Sequence, residues 1–490
     1  MKMKKILIIL VLLPTLFLSN SCQEESLSEL NVDPNNPASV SIALTFTAGT
    51  DYILYKYGRF TNGSDWDTWA GLFTQTFAGN HGSGISFDQY EIRNNDALWS
   101  RWWDGFLDLN DVIVRGTEQE AWDHVGASKV ITALGLGSLT SYYGDLPWSE
   151  ALKGSENPTP TFDTQEQVYQ SILNLLDGAI ADFNKTSLLA MGTEDIVYAG
   201  DADKWEALAY ALKARYENHF SVKDPAGSAA RALAAVQEAK NLGFTSFDSD
   251  LKFTYDNTGE YQNGWFDMFE NNQMIASENF MNLLVDNDDP RRLSYWNDIS
   301  VDDAVVGFNG KSNGFGTSNI SFSPIGPKGF YGAATSSQLI MTHFELLFIE
   351  AEAEFRLNGA TTEAATALNS AIMAQLDLVE PNDADYLVDY LALKPGYITN
   401  FASETAGSIT MGKIMTEKYK AMVTMNGESW TDIRRHNYQY PSYIAIPVTQ
   451  AGVTVASQLI ERVLYPQESI NTNPNTPTGV TIFDKLWIFQ

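Results

Sequence analysis

The sequence predicts a mostly α-helical chain interrupted by two loop-rich stretches, and three observations carry that prediction. Apolar residues recur at helical spacing through four long segments. Alanine-rich helical segments directly follow two of them, and residues 60–92 and 243–335 break the pattern with glycine, asparagine and aromatic side chains.

The amino terminus comes before any of these. Met1, Lys2, Met3, Lys4 and Lys5 lead into an apolar run from Ile6 to Leu13, with more apolar residues to Leu18. That run is too short for a stable bilayer anchor and reads as a secretory signal over residues 1–21. Ser19, Asn20 and Ser21 precede Cys22, the only cysteine in 490 residues. "LSNSC" has the form of a loose lipobox, with cleavage before the cysteine and lipid attached to its sulfur. The alternative is a free thiol beside an ordinary cleavage site, which is a liability in an exported chain. Several acyl chains, at about 0.8 kcal/mol per buried methylene, would anchor the protein stably. No later stretch approaches 18 consecutive apolar residues. A polar tether runs over residues 22–40, and a single domain is expected over 41–490. "NVDPNNPASV" within the tether is turn-rich. Asn31, Asp33 and Asn35 lack the sixth-position glycine and distal glutamate of a calcium loop.

The helices follow in order. Leu98, Trp102, Phe106, Leu109 and Ile113 share one face, as do Val168, Ile172, Leu175, Leu176, Ala179, Ile180 and Phe183. The same spacing links Trp205, Leu208, Ala209, Leu212, Tyr216 and Phe220. It then links Phe344, Leu347, Phe348, Ala351 and Phe355, with Gly359 as the C-cap candidate. "AGSAARALAAVQEAKNL" and "TEAATALNSAIMAQL" sit behind the last two. A long bulky helix followed by a shorter alanine-rich one is how tetratricopeptide-like hairpins stack, here without a strict 34-residue period. Loops as long as the two interruptions are uncommon in a helical frame unless they carry function.

Lys+Arg 31 against Asp+Glu 61 gives −30, and losing Lys2, Lys4 and Lys5 with a signal takes it to −33. Nucleic acid is therefore disfavoured as a partner. Aromatics at 12%, with Trp 12 and Tyr 22, are more informative, because exposed rings are what sugars and peptides stack on.

Motifs of chemistry are absent or broken. His81, His124, His219, His343 and His436 are mutually out of helical reach, and no HExxH or Cys/His cluster exists, so no local metal site is expected. "GFNGKS" has Val305 where a phosphate loop needs glycine, and "HGSGIS" lacks the first glycine of a nucleophile elbow. "VDNDDPRRL" has Pro290 where a calcium loop needs glycine. A glycosidase needs only two carboxylates about 5–10 Å apart, a condition that spacing among 61 acids does not test. Glu345, Glu350, Glu352 and Glu354 point around a helix whose apolar stripe is already assigned and read as pairing residues. Trp99, Trp102 and Trp103 read as core. Trp265 and Trp296, in the long non-helical stretch, stand open between core and binding.

Seven segments in order resemble the SusD/RagB family of surface lipoproteins, in its second, SusD-like branch. These are "SYYGDLPWSEAL", "DKWEALAYALKARYENHF", "NDDPRRLSYW", "LLFIEAEAEFRLNG", "ESWTDIRRHNY", "RVLYPQESINTNPN" and "FDKLWIF". "QEES" after Cys22 is similar to the acidic export tag of Bacteroidetes-type lipoproteins. Ile488 stands where the family often has a second tryptophan. By their chemistry these motif residues are scaffold: Asp432, Arg434, Arg435 and Trp430 suit a bidentate, stacked interior network.

The resemblance implies four degenerate tetratricopeptide-like helix pairs with an irregular lobe from residues 60–92 and 243–335. It implies a lipid-anchored protein at the outer face of the outer membrane that captures an oligosaccharide or peptide and passes it to a SusC-type TonB-dependent transporter. It implies binding without chemistry and without cofactor. The ligand residues are not part of the family's shared motifs. From composition and loop position alone, the candidate stacking rings are Trp66, Tyr261, Trp265, Trp296 and Phe315, and the candidate polar contacts are Asn80, His81, Asn263 and Arg292. Two rival readings are a secreted glycoside hydrolase and a ligand-free structural partner of the transporter.

Overall fold

The structure is a computed structural model that describes residues 40–55, 66–94, 97–258, 262–301, 304–318 and 321–490. The expected signal, Cys22 and almost all of the tether lie outside the described residues, as does Tyr261 of the candidate ligand set.

Helix α1 (Ile42–Leu54) is followed by α2 (Trp66–Phe73), strand β1 (Phe77–Gly79), α3 (Ser83–Asp88) and α4 (Ala97–Glu118). Four helices come next: α5 (Trp122–Tyr143), α6 (Gln165–Phe183), α7 (Ala202–His219) and α8 (Pro225–Asn241). The second interruption holds β2 (Leu251–Phe253), α9 (Gly264–Asn271), β3 (Met274–Ala276), α10 (Glu278–Asp286), α11 (Arg291–Tyr295), β4 (Ile299–Val301) and β5 (Ala304–Gly307), and β6 (Gln338–Met341) follows it. The described chain ends through α12 (His343–Asn358), α13 (Thr362–Leu378), α14 (Ala384–Phe401), α15 (Met411–Ala421), α16 (Asn426–Arg435) and α17 (Gln467–Thr472).

The frame is a continuous series of packed helices: α1 on α4, α4 on α5, α5 on α6, α6 on α7, α7 on α8, α8 on α12 and α12 on α13. Taken in twos, α1/α4, α5/α6, α7/α8 and α12/α13 are four helix pairs, the arrangement the motifs imply. Local chemistry sets their ends. Thr164 and Gln167 form a reciprocal capping box on α6, and the Asp201 carboxylate accepts from the Lys204 N–H to open α7. Asp224 caps α8 just before Pro225, whose fixed φ suits the first helical position. Gly359, at φ +81°, ends α12 as its sequence position predicts.

The predicted stripes are the inward faces: most of their residues are buried, while Ile113, Leu175, Ile180, Phe183, Phe220 and Phe355 are partly covered at the stripe margins. Helix α5 is the exception to amphipathicity. Every residue from His124 to Tyr143 except Lys129 is buried, because α4, α6 and α7 enclose it.

The lobe departs from the expectation of plain loops. Its two stretches hold five short helices, α2, α3 and α9–α11, of five to nine residues, too short for a helical stripe to repeat. Every residue of α2 is buried, leaving no polar face for the pattern to reveal. The antiparallel pair β1–β3, in register Phe77 to Ala276, ties the two stretches together, and β2 pairs with β6, Leu251 to Met341, where the second stretch begins and ends. At their centre the Phe77 ring stacks on Trp265, with centroids 4.9 Å apart and 16° between planes, and meets Trp296 edge-on at 5.0 Å.

Desolvated ion pairs tie these elements together, within the frame and from the lobe to α15. Arg215 of α7 grips Glu345 of α12 through two hydrogen bonds of 2.7 and 2.6 Å. Arg291 of α11 pairs with Asp289 at 2.6 Å and Glu417 of α15 at 2.8 Å. The Arg434 guanidinium lies 3.7 Å from the Trp430 ring centroid, and Arg435 binds Asp432 and Glu352, the stacked and bidentate network the motif predicts. Glu350 pairs with Lys240, and Glu354 accepts from Asn358 and Thr361, so all four clustered glutamates are pairing residues.

Candidate functional site

The lobe edge assembles some of the predicted residues and buries others. Where β1 runs into α3, a Cβ on Gly79 would fall 2.0 Å from the Gly84 carbonyl oxygen, so only glycine permits this turn. The Asn80 N–H donates to the Gln273 carbonyl at 2.8 Å, and the His81 N–H to the same oxygen at 3.3 Å. Asn80 itself is buried, its amide reaching the Asn272 carbonyl at 3.4 Å. His81 stands exposed at the turn's apex.

Two buried charges hold this turn against the loop that carries Phe315. The Asp88 carboxylate accepts from the Gly314 N–H at 2.8 Å, the Gly79 N–H at 3.2 Å and the Asn313 amide at 2.6 Å. Burial pushes its pKa up to about 6 against those three hydrogen bonds. The Lys311 ammonium donates to the carbonyls of Gly79 and Thr317, and burial lowers its pKa while Asp88 opposes the shift. The Gln89 amide donates to the Gly314 carbonyl at 2.7 Å, and the Gln450 amide to the Thr317 hydroxyl at 2.8 Å. The result is a braced rim that presents His81, the half-buried Phe315, Thr317 and Gln450.

The remaining candidates lie elsewhere. Trp66, Trp265 and Trp296 are at most 1% exposed, and a ring without accessible surface cannot offer a face to a ligand in this conformation. Trp66 donates to the Tyr143 hydroxyl at 2.7 Å, and Trp265 to the Gln338 side-chain carbonyl at 3.0 Å. Trp296 packs on Phe77 and Phe280. Buried Asn263 caps α9 by accepting from the Trp265 N–H at 2.7 Å. These four residues are scaffold beneath the rim, a correction to their reading as ligand contacts. The half-buried Arg292 donates to the Asp289 carbonyl at 3.1 Å on α11, away from the rim hydrogen bonds.

One ring read as core lines the surface instead. Trp99 and Trp102 are buried, whereas Trp103 is partly exposed in a groove of about 490 Å³ beside α4. Its signal was present: Ser100, Trp103, Asp104 and Leu107 recur at helical spacing beside the core stripe. Among the described residues no group of three metal-ligating side chains converges, and no helix is long and apolar enough to cross a membrane.

Comparison with known proteins agrees with this architecture. The chain matches the SusD-like_2 family model, described as "Starch-binding associating with outer membrane", over residues 34–466. A SusD/RagB family protein from Bacteroides thetaiotaomicron superposes with a TM-score of 0.77 at 22% identity, covering 92% of this chain and 99% of its own. A chitin-binding SusD homologue from Flavobacterium johnsoniae gives 0.73 at 19% identity, covering 92% and 98%. A SusD homologue from Bacteroides fragilis gives 0.72 at 17%, covering 92% and 100%. No curated protein sequence matches. The helical frame, the braced lobe and the family match over most of the chain together establish that this protein belongs to the SusD-like family.

Proposed function

We propose that the protein is a glycan-binding lipoprotein of the outer membrane, anchored through lipid on Cys22 after removal of residues 1–21, that passes its ligand to a SusC-type TonB-dependent transporter. The observation that carries this reading is the match to a starch-binding, outer-membrane-associated family over residues 34–466, on a fold shared with a chitin-binding homologue. The lobe rim supports it. His81 and Phe315 offer a hydrogen-bonding group and an apolar ring on loops held rigid by Asp88 and Lys311, so little ordering entropy is lost on binding.

The experiment is a tryptophan-fluorescence titration of the full-length protein with neutral glycans, acidic glycans and mixed oligopeptides. Saturable binding to a glycan class, weakened by His81→Ala or Phe315→Ala, is the expected result. Binding to oligopeptides alone would replace glycan by peptide as the cargo. Silence across the panel, with co-purification of the transporter retained, would favour a purely structural partner. Release of reducing ends from a glycan would favour a hydrolase.

A further inference from the structure

We infer that the groove beside α4 is a second carbohydrate site, separate from the rim, that takes a chain of neutral pyranose rings. It rests on different residues from the rim and lies on the helical frame.

One wall is a single helix face. Ser100, Trp103, Asp104 and Leu107 are spaced by three, four and seven residues along α4 and so project together. Leu107 is 53% exposed, and Ser100 and Asp104 are exposed as well. The Trp103 indole N–H is shielded from solvent and meets no acceptor among the described residues. What the indole shows to the groove is therefore carbon only, the surface on which the C–H face of a pyranose stacks. Trp99 and Phe106 hold that ring in place, with centroids at 5.4 and 5.6 Å.

The opposite wall is a loop built to stay where it is. The Asp163 carboxylate accepts from the Ser149 N–H and hydroxyl, both at 2.6 Å. Glu150 accepts from the Thr161 N–H at 2.9 Å, and the amides of Asn473 and Asn475 donate to the carbonyls of Pro160 and Thr159 at 2.8 Å. Within this wall Leu152 sits at φ +62°, a left-handed conformation that a leucine adopts only when its surroundings impose it. The groove is thus preformed, and its volume falls in the range of ligand sites, about 300–1,000 Å³.

Its charge sets the ligand class. Among the described residues Asp104 and Glu468 are its only charged lining residues, and both are acids that would repel rather than pair a uronate or sulfate. Carboxylates do accept hydrogen bonds from sugar hydroxyls, and the Asp104 carboxylate spends one oxygen on the Tyr52 hydroxyl at 3.1 Å. An apolar platform edged by such acceptors matches a neutral pyranose, which has one C–H face and a hydroxyl edge.

The test is isothermal titration of the full-length protein with maltohexaose, chitohexaose and an oligogalacturonate, for wild type, Trp103→Ala, Asp104→Lys and the double rim variant His81→Ala/Phe315→Ala. A site in the groove predicts that the rim variant still binds one neutral probe. It predicts that Trp103→Ala and Asp104→Lys each weaken that residual binding about tenfold or more, and that oligogalacturonate is not bound there. Trp103→Phe, which keeps a ring in place, should restore most of the affinity and shows that the fold is intact. If the groove variants bind every probe as wild type does, the groove site is overturned while the rim reading stands. If the rim variant binds as wild type and only the groove variants lose affinity, the rim reading fails and the groove stands. No binding of either neutral probe by wild type overturns the groove.

Discussion

Arg435 and Glu352 meet in a fully buried bidentate ion pair that fastens α16 to α12 across most of the carboxyl-terminal third of the chain. Asp432 shares the guanidinium at 2.7 Å, and Lys418 closes the network on Asp432 at 2.7 Å. Despite complete burial, which raises a carboxyl pKa, Arg435 holds Glu352 well below the usual carboxylate range.

Removing one partner of such a pair leaves a desolvated charge without its counterion, at a cost of about 3–5 kcal/mol. Glu352→Ala is expected to lower unfolding stability by that amount, read as the urea midpoint at constant slope. A loss below about 1 kcal/mol would mean that Asp432 alone satisfies Arg435.

Truncating Trp265 empties the centre of the lobe, where it stacks on Phe77. Trp265→Ala is expected to cost about 3–5 kcal/mol, as large-to-alanine changes in cores do. Any loss of ligand binding in this variant should follow the unfolded fraction seen by circular dichroism. Full binding loss in a variant with wild-type stability would return Trp265 to the ligand site.

Glu428 gives the protein an acid limit. Burial raises its pKa, but Arg215 at 3.8 Å and His219 at 2.9 Å more than offset this and hold it down to about 2. A folded pKa below the unfolded value means stability that is complete above about pH 4.5 and is lost as pH falls toward 2. The Tm gap between wild type and Glu428→Gln should therefore be widest at pH 5–7 and shrink steadily below 4.5. A gap independent of pH would assign the effect to packing. Asp88, with its pKa raised to about 6, has the opposite sign: its contribution favours the fold at low pH and is lost as pH rises through 6, and it cancels in the difference between the two proteins.

On the rim, His81→Ala and Phe315→Ala are each expected to weaken glycan binding about tenfold, or ~1.4 kcal/mol, with stability within about 0.5 kcal/mol of wild type. Equal affinity for both variants would move the capture surface away from this edge.

The frame was legible because amphipathic helices announce their buried face: Trp205, Leu208 and Leu212 are spaced as α7 requires, and all three are buried. Helix α5 was not, since a helix enclosed on every side has no stripe to detect. The candidate site was read less well. Glycine and aromatic content marked the lobe, but whether Trp265 faces ligand or core depends on pairing Phe77 with Ala276, a contact between distant segments that composition does not encode. His81 stays at the surface because its turn is closed by backbone hydrogen bonds, leaving the ring nothing to pack under. The motif residues Arg215, Asp432 and Arg435 were recognisable as scaffold because an interior guanidinium demands carboxylates, and these sequences supply both.

The enclosure of α5 also decides how this protein can be altered. Its last residues are clasped from several sides at once: Tyr143 by Trp66 of the lobe, Ser141 by Arg434, and Tyr142 by the N–H of Val463. Lobe, frame and carboxyl-terminal segment therefore share one keystone, and none of them detaches as a self-sufficient module. With the ligand surfaces placed as proposed, grafting rim turns or the 147–160 loop is expected to change ligand preference, while a fragment carrying the lobe alone would lack the helix against which it is shaped.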